Sequence, residues 1–397
     1  MLHSVVLHTV TVGEESGREM YASRCRSKSN PKSNAITSLI LHMCCAVLIA
    51  LALQPVSAQP RESKAQRLFD KRMPIWLKAF DVTGVGIAWI EDGKLAWTAF
   101  YGLQVPNGPA ANEKTLYDVA SLTKPISAEV ILRLASEGKV SLDEPIYKYW
   151  IDPDVKDNEW NRLLTTRLCL THQTGFPNWR RQTGNVLKFQ WQPGTAFGYS
   201  GEGYDYAARF VQNKTGRPWE ELAQQYVFDP VGMKNTAYTP QPWWEGRQAK
   251  PVESLPRTQW SAAARLRTTV GDYARFVISV MKGEGLSEQI AKEQYTITRN
   301  LTSPEQESVL CEAANDPGHC SVATGFGLEW HIVAIDGEKI FDHTGLDSDV
   351  RAFTFFIPSK RIGAVIFTNG PDVGTQMIDK VLAVLYPDPV YKQTIWQ

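Results

Sequence analysis

The sequence predicts an α+β fold: one antiparallel sheet built from strands at both ends of the chain, flanked by terminal helices and packed against a helix-rich middle lobe. Three observations lead there. Val82–Ile90 and Lys94–Gly102 are β-rich runs joined at Glu91-Asp92-Gly93, a hairpin signal. Three further strand-like runs, Glu338–Phe341, Arg351–Ile357 and Ile362–Thr368, lie near the other end, with Pro358-Ser359-Lys360 as one turn. Between them the clearest periodic segments, Leu122–Glu137, Trp219–Phe228 and Val270–Lys282, have helical spacing.

The flanking elements follow the same logic. Ser63 to Phe80 spaces Leu68, Phe69, Met73, Ile75, Trp76 and Phe80 as one helical face, and Met377–Leu385 reads as a closing helix. There is no internal repeat and no low-complexity linker. Residues 59–397 are therefore expected to form a single domain, with an α/β lobe (59–120 plus 325–397) and a helical lobe (121–324).

Composition narrows the function. The 397 residues carry 42 basic and 42 acidic side chains, so the basic footprint of a nucleic-acid binder is missing. Thirteen Trp, 14 Tyr and 15 Phe exclude a disordered chain. The seven His form no metal-binding spacing and no phosphate-binding glycine loop occurs, so neither metal nor cofactor is expected. Residues 1–58 read as a presequence. Leu39–Leu53 is apolar but too short for a stable membrane span, Arg24, Arg26, Lys28 and Lys32 precede it, and Val56-Ser57-Ala58 has the small-residue spacing of a signal-peptidase site. The expected product is exported, periplasmic or secreted. In an oxidising compartment Cys311 and Cys320, which flank an Asp316-Pro317-Gly318 turn, either close a small disulfide or stay free; Cys169 reads as a buried small hydrophobe.

Three short segments can carry chemistry. Ser121-Leu122-Thr123-Lys124 opens a helix and places hydroxyl and amine on one face. A Ser hydroxyl needs a base, and a Lys serves only if burial or cationic neighbours lower its pKa; a helix start also offers backbone N–H groups to an oxyanion. Ser29/Lys32, Ser136/Lys139 and Ser279/Lys282 share the spacing, so the apolar context singles out Ser121. The Gly-rich run Gln192–Tyr204 presents Tyr199 on a turn before a helix, either as a proton shuttle or as a packed aromatic. Asp342-His343-Thr344-Gly345-Leu346 lies at a strand edge where Gly345 lets a substrate backbone approach.

Taken together and in this order, these motifs resemble the penicillin-recognising serine hydrolases, closest to the class C β-lactamase-like branch with its DD-carboxypeptidases, D-amino-acid peptidases and esterases. Thr166–Pro177, Phe228–Thr236, Gly325–Trp330 and Phe367–Gly370 resemble the same branch, so the likeness spans most of residues 66–386. It implies a β-lactamase/transpeptidase-like fold in which Ser121 would be acylated, Lys124 would deprotonate it, and Tyr199 would be the acid/base at the leaving group. His343 would occupy the third motif's cation position, and the backbone N–H groups of Ser121 and Leu346 would form the oxyanion hole beside Gly345. Two departures favour an esterase or D-peptidase over a dedicated β-lactamase: Gly201 replaces the Asn of the second motif, and His343 replaces a permanent cation. Glu202 either substitutes for the missing amide or has a solvent-facing or structural role. Arg351 either recognises a substrate carboxylate or forms a surface ion pair. Trp179, Trp191, Trp243 and Trp244 either line an apolar cleft or are ordinary packing residues.

The expected activity is acyl-enzyme hydrolysis of a small-molecule or peptide ester, D-amino-acid amide or β-lactam-like substrate. The alternatives are a class C-type β-lactamase and a catalytically impaired binding protein on the same fold. An α/β-hydrolase is disfavoured because Gly198-Tyr199-Ser200-Gly201-Glu202 ends in Glu and follows no buried parallel strand.

Overall fold

A computed structural model describes residues 63–249, 260–314, 320–348, 350–370 and 374–395. The signal-peptide reading of residues 1–58 lies outside them. Among the described residues no helix is long and apolar enough to cross a membrane.

Helix α1 (Lys64–Ala79) starts at a capping box in which Ser63 accepts from the Gln66 N–H and the Gln66 side chain accepts from the Ser63 N–H. The hairpin follows as β1 (Gly84–Glu91) and β2 (Lys94–Gly102). Helices α2 (Thr123–Ser136), α3 (Gly201–Thr215) and α4 (Val270–Met281) dominate the middle. The chain then returns to the sheet through β3 (Arg299–Asn300), β4 (Val322–Phe326), β5 (His331–Ile335), β6 (Glu338–Asp347), β7 (Val350–Ile357) and β8 (Ile362–Asn369). It finishes with α5 (Gly374–Leu385) and α6 (Pro389–Thr394). The eight strands run in the order β2-β1-β8-β7-β6-β5-β4-β3, every pair antiparallel.

The junction between the two chain ends is the β1–β8 ladder, from Gly84 opposite Asn369 to Ile90 opposite Gly363. Both faces of the sheet are covered. Phe353, Phe355 and Ile357 of β7 pack with Phe69 and Met73 of α1 and Met377, Ile378 and Val381 of α5. The alternate residues Ala352 and Phe356 join the larger core formed with the middle helices, as the two-residue side-chain period of a strand requires.

Three strands were not anticipated. β3, β4 and β5 come from short runs, and the last two are separated only by Gly327–Trp330, too little to distinguish strand from buried turn by periodicity. The chain's return to the sheet thus begins at Arg299, ahead of residue 325. β6 also continues to Asp347, six residues past the expected end, so His343 to Leu346 lie within a strand. Trp219–Phe228 is helical throughout but changes from α to π winding at Gln224. Cys311 and Cys320 form a disulfide, and Cys169 is buried, its thiol pushed up by desolvation.

Candidate active site

Ser121 sits in a single 3₁₀ turn (Ala120–Leu122) that leads into α2. The approach is held tightly: the Ala120 N–H donates to Asp118 Oδ1 at 3.0 Å, and the Thr123 hydroxyl donates to the Ala120 carbonyl at 2.6 Å. Ala120 has φ +44°, a left-handed conformation that alanine adopts only under constraint from its surroundings. The strain lies at the residue preceding the hydroxyl.

Lys124 follows in the first turn of α2 and is completely buried. Its Nζ lies 3.0 Å from Ser121 Oγ and donates to the Ala263 carbonyl at 3.0 Å. Burial lowers its pKa to about 8, against the smaller opposing pull of Glu329 and Asp205. Asp205, on α3, fixes the loop bearing that carbonyl by accepting from the Ala262 N–H at 2.7 Å and the Ser261 hydroxyl at 3.0 Å.

Tyr199 precedes Ser200, the N-cap of α3, whose hydroxyl accepts from the Gly203 N–H at 3.1 Å. The Tyr199 ring lies 4.7 Å from Lys124 Nζ. Burial raises its phenol well above the usual range, with Ser121 as a hydrogen-bonding neighbour that partly offsets the rise. The hydroxyl, the amine and the phenol predicted from sequence therefore converge.

β6 forms the opposite wall. β5 pairs with β6 only as far as Asp342, so His343 to Asp347 have β7 as their ladder partner and the other edge faces the nucleophile turn. A Cβ at Gly345 would lie 2.2 Å from the Val119 carbonyl. Only glycine allows this close approach of the strand to the nucleophile turn. His343 is buried, its Nδ1 2.8 Å from the Thr344 carbonyl, and burial together with Lys124 pushes its pKa down to about 3.

The remaining sequence candidates sort clearly. Gly201 is closed over by Trp179: a Cβ there would lie 2.7 to 2.9 Å from the indole ring, so the indole fills the space a side chain would need. Trp191 packs still more closely on Gly198, where a Cβ would lie 2.3 to 2.5 Å from its ring. Trp243 and Trp244 instead belong to a separate cluster with Leu116 and Ala237. Glu202 is structural, accepting from the Arg180 N–H at 2.8 Å and from its guanidinium at 2.8 and 3.0 Å. Arg351 is buried, not at the surface, and its guanidinium donates to the Asp347 and Val350 carbonyls.

Sequence reasoning missed two residues. His172, at φ +55°, stacks on Tyr199 with ring centroids 4.3 Å apart, and its Nδ1 accepts from the Ser200 N–H at 3.1 Å. Glu329 is fully buried with an oxygen 2.9 Å from His343 Nε2, and burial raises its carboxyl well above the ordinary range. The available signal was one charged residue within the otherwise apolar Gly325–Trp330 segment. Among the described residues no group of His, Cys, Asp or Glu is arranged to hold a metal ion.

The sequence profile of the Beta-lactamase family matches residues 76–385. The chain is 24% identical over 359 residues to the D-alanyl-D-alanine-carboxypeptidase/endopeptidase AmpH of Escherichia coli (strain K12), covering 82% of this chain and 90% of that protein. It is 23% identical over 328 residues to penicillin-binding protein 4 of Amycolatopsis lactamdurans, covering 74% and 84%. Among solved structures it shares the fold of the octameric penicillin-binding protein homologue from Pyrococcus abyssi, with a TM-score of 0.65, 19% identity and coverage of 83% and 80%. The D-alanine carboxypeptidase AmpC from Burkholderia cenocepacia has the same fold, with a TM-score of 0.63, 18% identity and coverage of 81% and 98%.

Proposed function

The chain belongs to the Beta-lactamase family, and from that premise we propose that it is a serine hydrolase working through a covalent acyl-enzyme on esters or D-amino-acid amides. The observation that carries this reading is a buried amine of lowered pKa 3.0 Å from the Ser121 hydroxyl. Uncharged Lys124 takes the Ser121 proton as Oγ attacks the substrate carbonyl carbon. The N–H groups of Ser121 and Leu346 receive the negative oxygen. Collapse breaks the bond to the leaving group, and Tyr199 delivers the proton that group needs while taking a replacement from protonated Lys124, which returns both groups to their neutral forms. Water then attacks the acyl carbon, giving up its proton to the same phenol–amine pair, and as the acyl C–Oγ bond breaks the pair passes that proton to Oγ, regenerating Ser121.

A fluorophosphonate probe tests the nucleophile. Labelling abolished by Ser121→Ala supports the proposal; well-folded protein that takes no label is a binding module. Gly201 and the uncharged His343 favour esters and D-amino-acid amides over β-lactams. Nitrocefin turnover near ~10² s⁻¹, within the usual enzyme range, would reverse that preference in favour of a class C-type β-lactamase. Export of the protein is part of the same reading, supported by the Cys311–Cys320 disulfide, a bond that persists in oxidising compartments.

A further inference from the structure

Glu329 has a backbone suited to glycine and a side chain that the mechanism above does not use. Its φ is +90°, and its carboxyl is buried between two imidazoles, with Oε1 2.9 Å from His343 Nε2 and Oε2 4.0 Å from His172 Nε2. None of these four buried atoms has a hydrogen-bond partner: the His172 contact is too long for one, and the 2.9 Å contact to His343 is within reach of a shared proton. A strained backbone that puts an acid into such a place is costly unless the acid has a task.

The hydrogen-bonding pattern fixes where the protons go. His343 Nδ1 faces the Thr344 carbonyl, which can only accept, so Nδ1 carries hydrogen. In the neutral ring Nε2 is then a bare acceptor facing a carboxyl oxygen, and two acceptors at 2.9 Å need one proton between them. His172 Nδ1 accepts from the Ser200 N–H, so its neutral ring turns Nε2–H toward the other oxygen of Glu329.

We propose that Glu329 is a specificity-determining residue: as a protonated acid donating to His343 it keeps position 343 uncharged, so the site selects acyl substrates without a carboxylate beside the scissile bond. This deepens the hydrolase reading and rests on it. The other ionisable groups facing the pair are Lys124 from α2, His172 from the loop after residues 166–170, Tyr199 before α3 and His331 from β5. His331 is tied to Asp342 at 2.9 Å. Lys124 disfavours a second positive charge at 343, and burial disfavours ionisation of the pair.

The test uses the full chain with imidazole nitrogens labelled for NMR, the His343 signals being assigned by their loss in His343→Gln. From pH 5 to 8 wild-type His343 is expected to stay neutral. In Glu329→Gln, whose amide N–H can donate to the same Nε2, it should stay neutral too. In Glu329→Gly, a substitution matched to the positive φ, water reaches Nε2 and the ring should titrate. In parallel, kcat/KM is compared for p-nitrophenyl acetate and p-nitrophenyl hemisuccinate. The hemisuccinate-to-acetate ratio should rise about tenfold in Glu329→Gly between pH 8 and pH 5 while staying flat in wild type and in Glu329→Gln. An imidazolium at 343 in the wild type, or a Glu329→Gly ratio as flat as the wild type, overturns the proposal. Absence of turnover in all three proteins instead refutes the hydrolase reading, and the NMR titration then still decides the state of the pair.

Discussion

Lys124 is a cationic side chain that folding places beyond the reach of water, and this sets both its chemistry and its cost. The folded pKa is lowered to about 8 from 10.5. The stability this contributes is fully present above about pH 10.5 and is lost as pH falls through about 8, where the buried amine must bind a proton. Lys124→Met should accordingly stabilise the protein at pH 7 by about 1–3 kcal/mol, measured by denaturant unfolding, and abolish turnover. Because the base must be uncharged, kcat/KM should rise with pH through an apparent pKa near 8, which a pH–rate profile reads directly. Gly201 makes a second residue-level test. Gly201→Asn should destabilise by about 1–3 kcal/mol through its clash with Trp179, and Trp179→Ala in the same chain should recover part of the loss. Ser121, Lys124, Tyr199 and His343 were legible because motifs kept them in readable order. Glu329 and His172 were not, because their significance lies in backbone angles and in neighbours far away in sequence.

At the scale of elements, the site depends on how closely β6 can pass the nucleophile turn. Gly345→Ala would place a methyl 2.2 Å from the Val119 carbonyl. We expect a loss of about 1–3 kcal/mol and an acylation rate lowered at least tenfold as Leu346 moves away, read by unfolding and by probe-labelling kinetics. The hairpin, the paired strands β7 and β8, and helices α1, α2, α4 and α5 could be read from alternation or helical spacing. β3, β4 and β5 could not, since they owe their conformation to neighbouring strands already in place and too little to local preference. The short expected β6 reflects the same limit: Gly345 and polar Thr344 break the apolar pattern at the point where the strand serves the site.

For the whole molecule, the covered sheet ties the two ends of the described chain together. Each sheet face belongs to a separate hydrophobic core, and both draw residues from the two chain ends. A truncation after Pro358, which removes β8 and α5, should therefore leave β1 without its partner and yield a protease-sensitive chain with no cooperative unfolding transition. The pairing of residues 84–90 with 363–369 also imposes an order of events on biosynthesis. A growing polypeptide cannot complete the central ladder until residues 363–369 have been made, so the N-terminal hairpin must wait hundreds of residues for its mate. Until that late strand arrives, neither face of the N-terminal hairpin can settle into its final core, so the molecule's last-made segment decides when it locks.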